Sequence, residues 1–193
     1  MCTLKSDLLV DPIIQSVASE SEFNFFLNST NHKWACLKFG DISTIEGILG
    51  LIHKKGKNAL LHLDSVKGVA KDKEGIEYLS VIGAEAIITM RSQNIRTIRE
   101  SGMVAVLGSF LVDSSAVTQT LKNAAACSPD AILIMPMTVP RYVYEQLKKA
   151  NLPLLAGGMG AEHQDIQNVI DYGASGCIIT NRDRLSESYT IKQ

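Results

Sequence analysis

The chain has 193 residues, enough for one domain with a substantial core. Its formal net charge of −1 excludes a strong global field toward nucleic acid or membrane, so any RNA contact must come from a local patch. Four scattered cysteines (Cys2, Cys36, Cys127, Cys177) without a C-x-x-C pair predict free thiols, and the lack of a signal-peptide pattern or a membrane-length apolar run predicts a soluble cytoplasmic protein.

Strand one is read at Pro12–Val17. Ser19 or Ser21 then caps a helix running to about Asn28. Strand two is Trp34–Phe39. Ser43 caps helix two, whose Ile45, Ile48, Leu49 and Ile52 share one face and which Gly56 closes. Asn58–Asp64 is strand three. The loop after it, Ser65–Gly75, is the longest and most charged connection, and Gly68 and Gly75 are expected to let it move. Helix three, through Ile76, Leu79 and Ile82, ends near Gly83; Ala86–Met90 is strand four. Helix four carries Ile95 and Ile98 and meets Gly102, and Met103–Leu107 is strand five.

A polar turn at Asp113–Ser115 leads to helix five, with Val117, Leu121 and Ala124. Strand six, Ala131–Met135, stops at Pro136, and helix six runs from about Pro140 to Ala150. Strand seven, Pro153–Ala156, stops at Gly157–Gly158. Helix seven, with Ile166, Val169 and Ile170, ends at Gly173, and Cys177–Ile179 is strand eight, with a short helix beginning near Asn181.

These strands are continuous apolar runs, as parallel strands covered on both faces are. Alternation of strand and helix through residues 1–193 predicts a single (β/α)8 barrel domain of lean size, with an open doubly wound sheet as the alternative.

In such a barrel, ligand-contacting residues sit at the C-terminal ends of the strands. That criterion selects Lys38, Asp41, His62, Asp64, Arg91, Ser92, Ser109, Asp113, Pro136, Gly157, Gly158, Thr180 and Asn181. The turns after strands seven and eight predict a phosphate site, because glycine lets backbone N–H groups approach an anion and a helix beginning near Asn181 adds its dipole. Arg91 suits a phosphate or carboxylate, and Asp64 and Lys38 suit the hydroxyls of a small polyol. No metal or cofactor is expected: His62-x-Asp64 lacks a third ligand, and the chain has no G-x-S-x-G, H-E-x-x-H or G-x-G-x-x-G motif. Asp41, Asp64 and Asp113 are carboxylates available for acid–base work, but nothing marks one as acid and another as base. A lyase or isomerase acting on a small sugar or triose phosphate is therefore the alternative reading. The local basic residues are Lys67, Lys71 and Lys73 in the strand-three loop, Arg96 and Arg99 on helix four, and Lys54, Lys55 and Lys57 at the opposite end.

In order and spacing, five segments resemble the glycerol-3-phosphate responsive antiterminators, regulators of glycerol uptake operons in bacteria. They are His62–Gly68 (HLDSVKG), Ile87–Ser92 (IITMRS), Phe110–Ala116 (FLVDSSA), Ala156–Gly158 and Ile178–Asn181. The resemblance implies a barrel, response to glycerol 3-phosphate or a similar phosphate ester, and contact with a leader mRNA to prevent termination. With few basic residues available, a homo-oligomer would multiply the RNA-contacting patch. The chain departs from the family at three positions. Gly108 stands where an arginine usually follows strand five, Leu133 where strand six tends to have a glutamate, and Met137 where a glycine follows the strand-six proline. Loss of an arginine together with a carboxylate fits a paired set and points to a changed effector.

Overall fold

A computed structural model describes residues 4–160, 162–180 and 182–189. Eight parallel strands close into a barrel in the order β1-β2-β3-β4-β5-β6-β7-β8. They are β1 (Ile13–Val17), β2 (Trp34–Leu37), β3 (Asn58–His62), β4 (Ala86–Thr89), β5 (Val104–Phe110), β6 (Ala131–Met135), β7 (Leu154–Gly157) and β8 (Gly176–Ile179). The helices are α1 (Leu4–Leu8), α2 (Glu20–Ser29), α3 (Ile45–Lys54), α4 (Lys73–Val81), α5 (Ser92–Glu100), α6 (Ser114–Cys127), α7 (Arg141–Leu147), α8 (His163–Asp171) and α9 (Arg182–Leu185).

Strand alternation divides the core in two. Ile14, Trp34, Cys36, Leu60, Ile88, Val106, Leu133 and Ile178 fill the barrel interior, while Ile13, Val17, Leu61, Ile87, Leu107 and Ile134 face the helices. Both sets are buried, which is why the strands read as unbroken apolar runs. Burial also pushes the Cys36 thiol up to about 11 and the Cys177 thiol up to about 12, so both act as inert packing groups at neutral pH.

The helix starts follow local chemistry. The Ser19 hydroxyl accepts from Glu22 N at 3.2 Å, Asp72 from Gly75 N at 3.1 Å and Asp113 from Ala116 N at 2.9 Å, each satisfying an orphan amide of a first turn. The expected Ser43 cap is corrected: Thr44 holds the cap position of α3, and the Asp41 carboxylate organises the turn, accepting from the amides of Ser43 at 2.9 Å and Thr44 at 3.1 Å.

Two further differences bear on the site. α1 closes the barrel's N-terminal end, with Leu4 and Leu8 in the interior cluster and Asp7 accepting from Trp34 Nε1 at 2.9 Å and Lys33 Nζ at 2.8 Å; five residues are too few to show helical periodicity. β5 runs to Phe110, three residues past the expected end, because β6 pairs with it along Gly108, Ser109 and Phe110.

Candidate ligand site at the barrel mouth

Charged side chains gather where β2, β3 and β4 end. Lys38 follows β2 and lies exposed. His62 is the last residue of β3, half-buried, with Ser65 Oγ 3.1 Å from its Nδ1. Burial first, and then the Lys38 charge, hold the imidazole below its ordinary range; nearby Asp64 opposes that and Lys71 adds to it. His62 is therefore neutral at neutral pH. Asp64 lies in a 3-10 turn, Leu63–Ser65, and not in the strand as the sequence suggests. Arg91 Nη2 stands 4.0 Å from Asp64 Oδ1, with side chains 51% and 34% exposed, a loose ion pair that an incoming anion can replace. Ser92, half-buried, opens α5 directly after Arg91. Lys71 feels both Asp64 and Arg91, and burial is the main cause of its lowered pKa.

The loop after β3 is built differently from the expected mobile segment. Lys71 Nζ donates to the carbonyls of Leu63 and Val66, bracing the turn from inside, while Asn94 Nδ2 donates to Lys71 O at 3.3 Å. Lys67 N donates to Gly40 O at 3.1 Å and Lys67 O accepts from Ile42 N at 2.9 Å, tying the loop to the one after β2. Gly75 is no hinge. It sits in the first turn of α4, where a Cβ would stand 2.0 Å from Ala70 O.

Two of the three strand-end carboxylates are occupied by the architecture. Hydrogen bonds from Ser43 and then Thr44 hold Asp41 below the usual carboxylate range, and those from Ser115 and Ala116 do the same for Asp113. Ser109 also drops out of the mouth: its hydroxyl meets Thr120 Oγ1 at 2.5 Å on α6. Among the described residues no group of three His, Cys, Asp or Glu could hold a metal ion.

Across the barrel, β7 delivers Gly157 and Gly158. Gly158 has φ +76° and nothing within 4 Å of where a Cβ would stand, so the turn needs glycine and leaves open space over it. Its carbonyl accepts from Met137 N at 3.0 Å. Thr180 is exposed at the end of β8, whereas Asn181 lies outside the described residues. The expected helix dipole there is small, because α9 has four residues. Arg182 is committed to α2, with its guanidinium 4.8 Å from the Phe25 ring and 3.1 Å from Ser21 Oγ. Pro136 follows β6 in a cis peptide with Met135.

The basic residues separate by partner. Lys73 pairs with Glu77 at 3.6 Å and Arg96 with Glu100 at 2.7 Å, each one helical turn away. Arg99 meets Asp130 at 3.3 Å and donates to Ser128 O at 3.0 Å. Lys57 donates to Phe26 O and Thr30 O, both at 2.6 Å, capping the end of α2.

The family model of the glycerol-3-phosphate responsive antiterminators matches residues 13–185. The chain belongs to that family. It is 27% identical over 172 residues to the protein YgcP of Escherichia coli (strain K12), covering 89% of this chain and 90% of that one. A glycerol uptake operon antiterminator regulatory protein from Listeria monocytogenes superposes with a TM-score of 0.84 at 24% identity, over 89% of this chain and 93% of its own. A glycerol uptake operon antiterminator-related protein from Thermotoga maritima gives 0.80 at 21% identity, over 91% and 98%.

Gly108, Leu133 and Met137, where the sequence suggests departures from the family pattern, all lie on the β5–β7 side. Gly108 and Leu133 are register partners on neighbouring strands, so a pair of side chains there would touch. In this chain the Met90 sulfur fills the space over Gly108, 2.3 Å from where a Cβ would stand. Met137 does the same over Gly160, at 2.2 Å. Sulfur and hydrocarbon therefore line this side, an arrangement that became legible only once strand register was known.

Proposed function

We propose that this protein is a ligand-responsive transcription antiterminator that binds a leader mRNA and responds to glycerol 3-phosphate or a similar small phosphate ester held at the barrel mouth. The supporting observation is the gathering of Lys38, Asp64 and Lys71 around His62, with Arg91 on Asp64, at the C-terminal strand ends, opposite the open glycine turn after β7. The phosphate is assigned to the Gly157–Gly158 turn with Thr180 and Asn181. Lys38 and Asp64 read a hydroxyl, and Arg91 with Ser92 closes the polar side. A ligand hydroxyl held by Asp64 competes with its loose Arg91 contact and shifts charge at the base of the loop that presents Lys67. That provides coupling between ligand and RNA on the order of 1–3 kcal/mol, the usual range for linked sites.

RNA contact is assigned first to the exposed Lys67, then to Lys73 and Arg96. Their intrahelical acid partners contribute little and can be exchanged for RNA phosphates. Lys71 and Arg99, both bonded to main-chain carbonyls, hold structure in this reading. Few lysines and arginines act, so the salt dependence is shallow, about 0.7 per phosphate contacted for a single strand, and a homo-oligomer would multiply the patch. The test is fluorescence anisotropy of a labelled leader transcript with and without glycerol 3-phosphate. Affinity should rise at least fivefold with ligand and fall in a Lys67/Lys73/Arg96→Ala variant. RNA affinity that ignores both the ligand and the triple variant would overturn the reading.

A further inference from the structure

The mouth has a wall that the polar assignments above leave unused. Alternation along β5 and β6 turns Gly108 and Phe110, Leu133 and Met135 to the barrel interior, and Phe110 and Met135 are register partners at the rim. Met90, one residue before Arg91, lies across Gly108, with Ile88 beside it. Phe110 is 60% exposed. The one hydroxyl on this stretch, Ser109, points outward to Thr120, and the backbone of both strands is engaged in the sheet ladder. The wall is therefore apolar from Ile88 up to Phe110, and it borders the cationic group directly, since Met90 and Arg91 are consecutive.

A ligand lying between the glycine turn and Arg91 has to set part of its surface against that wall. A hydroxyl placed there gives up water and gains no side-chain partner, a penalty of about tenfold or more in affinity. A methyl or ethyl group placed there gains by burial, and the polarizable thioethers of Met90 and Met135 adapt to its shape.

We propose that the ligand of this mouth is a phosphate ester with one hydroxyl and one short alkyl branch, the alkyl branch packed on Met90, Phe110 and Met135. The inference rests on the phosphate-ester reading above and narrows it: the preferred compound is a deoxy relative of glycerol phosphate, not the full polyol. Each methylene buried on the wall strengthens binding about fourfold.

The experiment is isothermal titration calorimetry at fixed ionic strength with inorganic phosphate, glycerol 3-phosphate, propane-1,2-diol 1-phosphate and butane-1,2-diol 1-phosphate. The proteins are wild type, Met90→Gln and Met90→Leu. In the wild type, the propanediol ester should bind about tenfold more tightly than glycerol 3-phosphate, and the butanediol ester about fourfold more tightly again. Met90→Gln, close in size but polar, should shrink that preference to a few-fold, and Met90→Leu should keep it. Glycerol 3-phosphate binding tightest would overturn the inference while leaving the phosphate-ester reading standing. If neither phosphate nor any ester binds, that reading fails and the inference with it. A preference for the alkyl esters that survives Met90→Gln places the alkyl group elsewhere and overturns the assignment to this wall.

Discussion

The two sides of the barrel mouth are built on the same fold by opposite chemistry. On the β2–β4 side, Lys38, His62, Asp64, Lys71 and Arg91 share one electrostatic neighbourhood, and the loop that carries part of it is fixed by main-chain carbonyls. On the β5–β6 side, the inward positions are glycine, phenylalanine, leucine and methionine, and the polar residues nearby are spent on α6: Asp113 caps it and Ser109 meets Thr120. The contrast teaches that polarity at a strand end does not by itself mark a ligand contact. Asp41 and Asp113 look like Asp64 in the sequence, but each is saturated by the turn it organises. The β2–β4 side is charged and braced, and the β5–β6 side is lined with adaptable sulfur and hydrocarbon.

The largest test of that contrast uses two glycines. A Cβ on Gly75 would meet the Ala70 backbone carbonyl at 2.0 Å, whereas the close contact of one on Gly108 would be with the movable Met90 sulfur, at 2.3 Å, with Ile88 at an ordinary 3.5 Å. Gly75→Ala should therefore destabilise by about 3 kcal/mol, the upper part of the range for overpacking, and lower the melting temperature by roughly 6–12 °C. Gly108→Ala should cost about 1 kcal/mol or less, since a methionine can swing aside. Equal losses by thermal denaturation would show that the two sides are equally rigid.

Next in size is Lys71→Met. It removes a charged donor from the Leu63 and Val66 carbonyls and should destabilise by about 2 kcal/mol. Because Lys71 also bears on His62 and Asp64, the variant should weaken glycerol 3-phosphate binding as well. A variant of unchanged melting temperature would mean that the loop is held by the Lys67 backbone bridge to Gly40 and Ile42 and by Asn94, without the Lys71 side chain.

The smallest effect is on pH dependence, where two histidines shift in opposite directions. His62 is lowered, so below its ordinary value of 6.5 the unfolded chain takes up a proton that the folded one refuses, and stability falls as pH drops through that window. His32 is raised: burial acts to lower it, but Asp11 at 2.8 Å on Nδ1 and Leu185 O at 2.7 Å on Nε2 favour the doubly protonated ring. Its contribution is fully present below about 6.5 and is lost as pH rises through the folded value. Melting curves across pH should lose the part of their fall just below pH 6.5 in His62→Gln and the part just above pH 6.5 in His32→Gln, by a few degrees each. A single variant that flattens both sides would contradict this assignment.

Much of the barrel was legible in the sequence, because eight apolar runs alternated with helical faces and some helix starts carried their own signal, as at Ser19 and Asp113. What was not legible depended on partners distant in sequence. The extra length of β5 comes from pairing with β6, and α1 is held by Asp7 on Trp34. The site divides the same way. Lys38, His62, Asp64 and Arg91 were readable as strand-end residues, and the structure brings them together. The bracing role of Lys71 was hidden, because a lysine in a charged loop looks solvated until the carbonyls facing it are known. The apolar wall was hidden too: Gly108 and Met90 are separated in sequence and meet only through the β4–β5 register.

The central claim, that a phosphate ester held in the mouth lies against the charged group at the ends of β2–β4, is tested most directly by following the two imidazoles by NMR while pH is varied, with and without saturating glycerol 3-phosphate. The negative charge of an ester bound in the mouth offsets the Lys38 and Lys71 charge that now helps to hold His62 down, so the His62 titration should move up toward its ordinary value while that of His32, tied to Asp11 and Leu185, stays where it is. A His62 titration unmoved by saturating ligand, or a shift at His32 instead, would contradict the account.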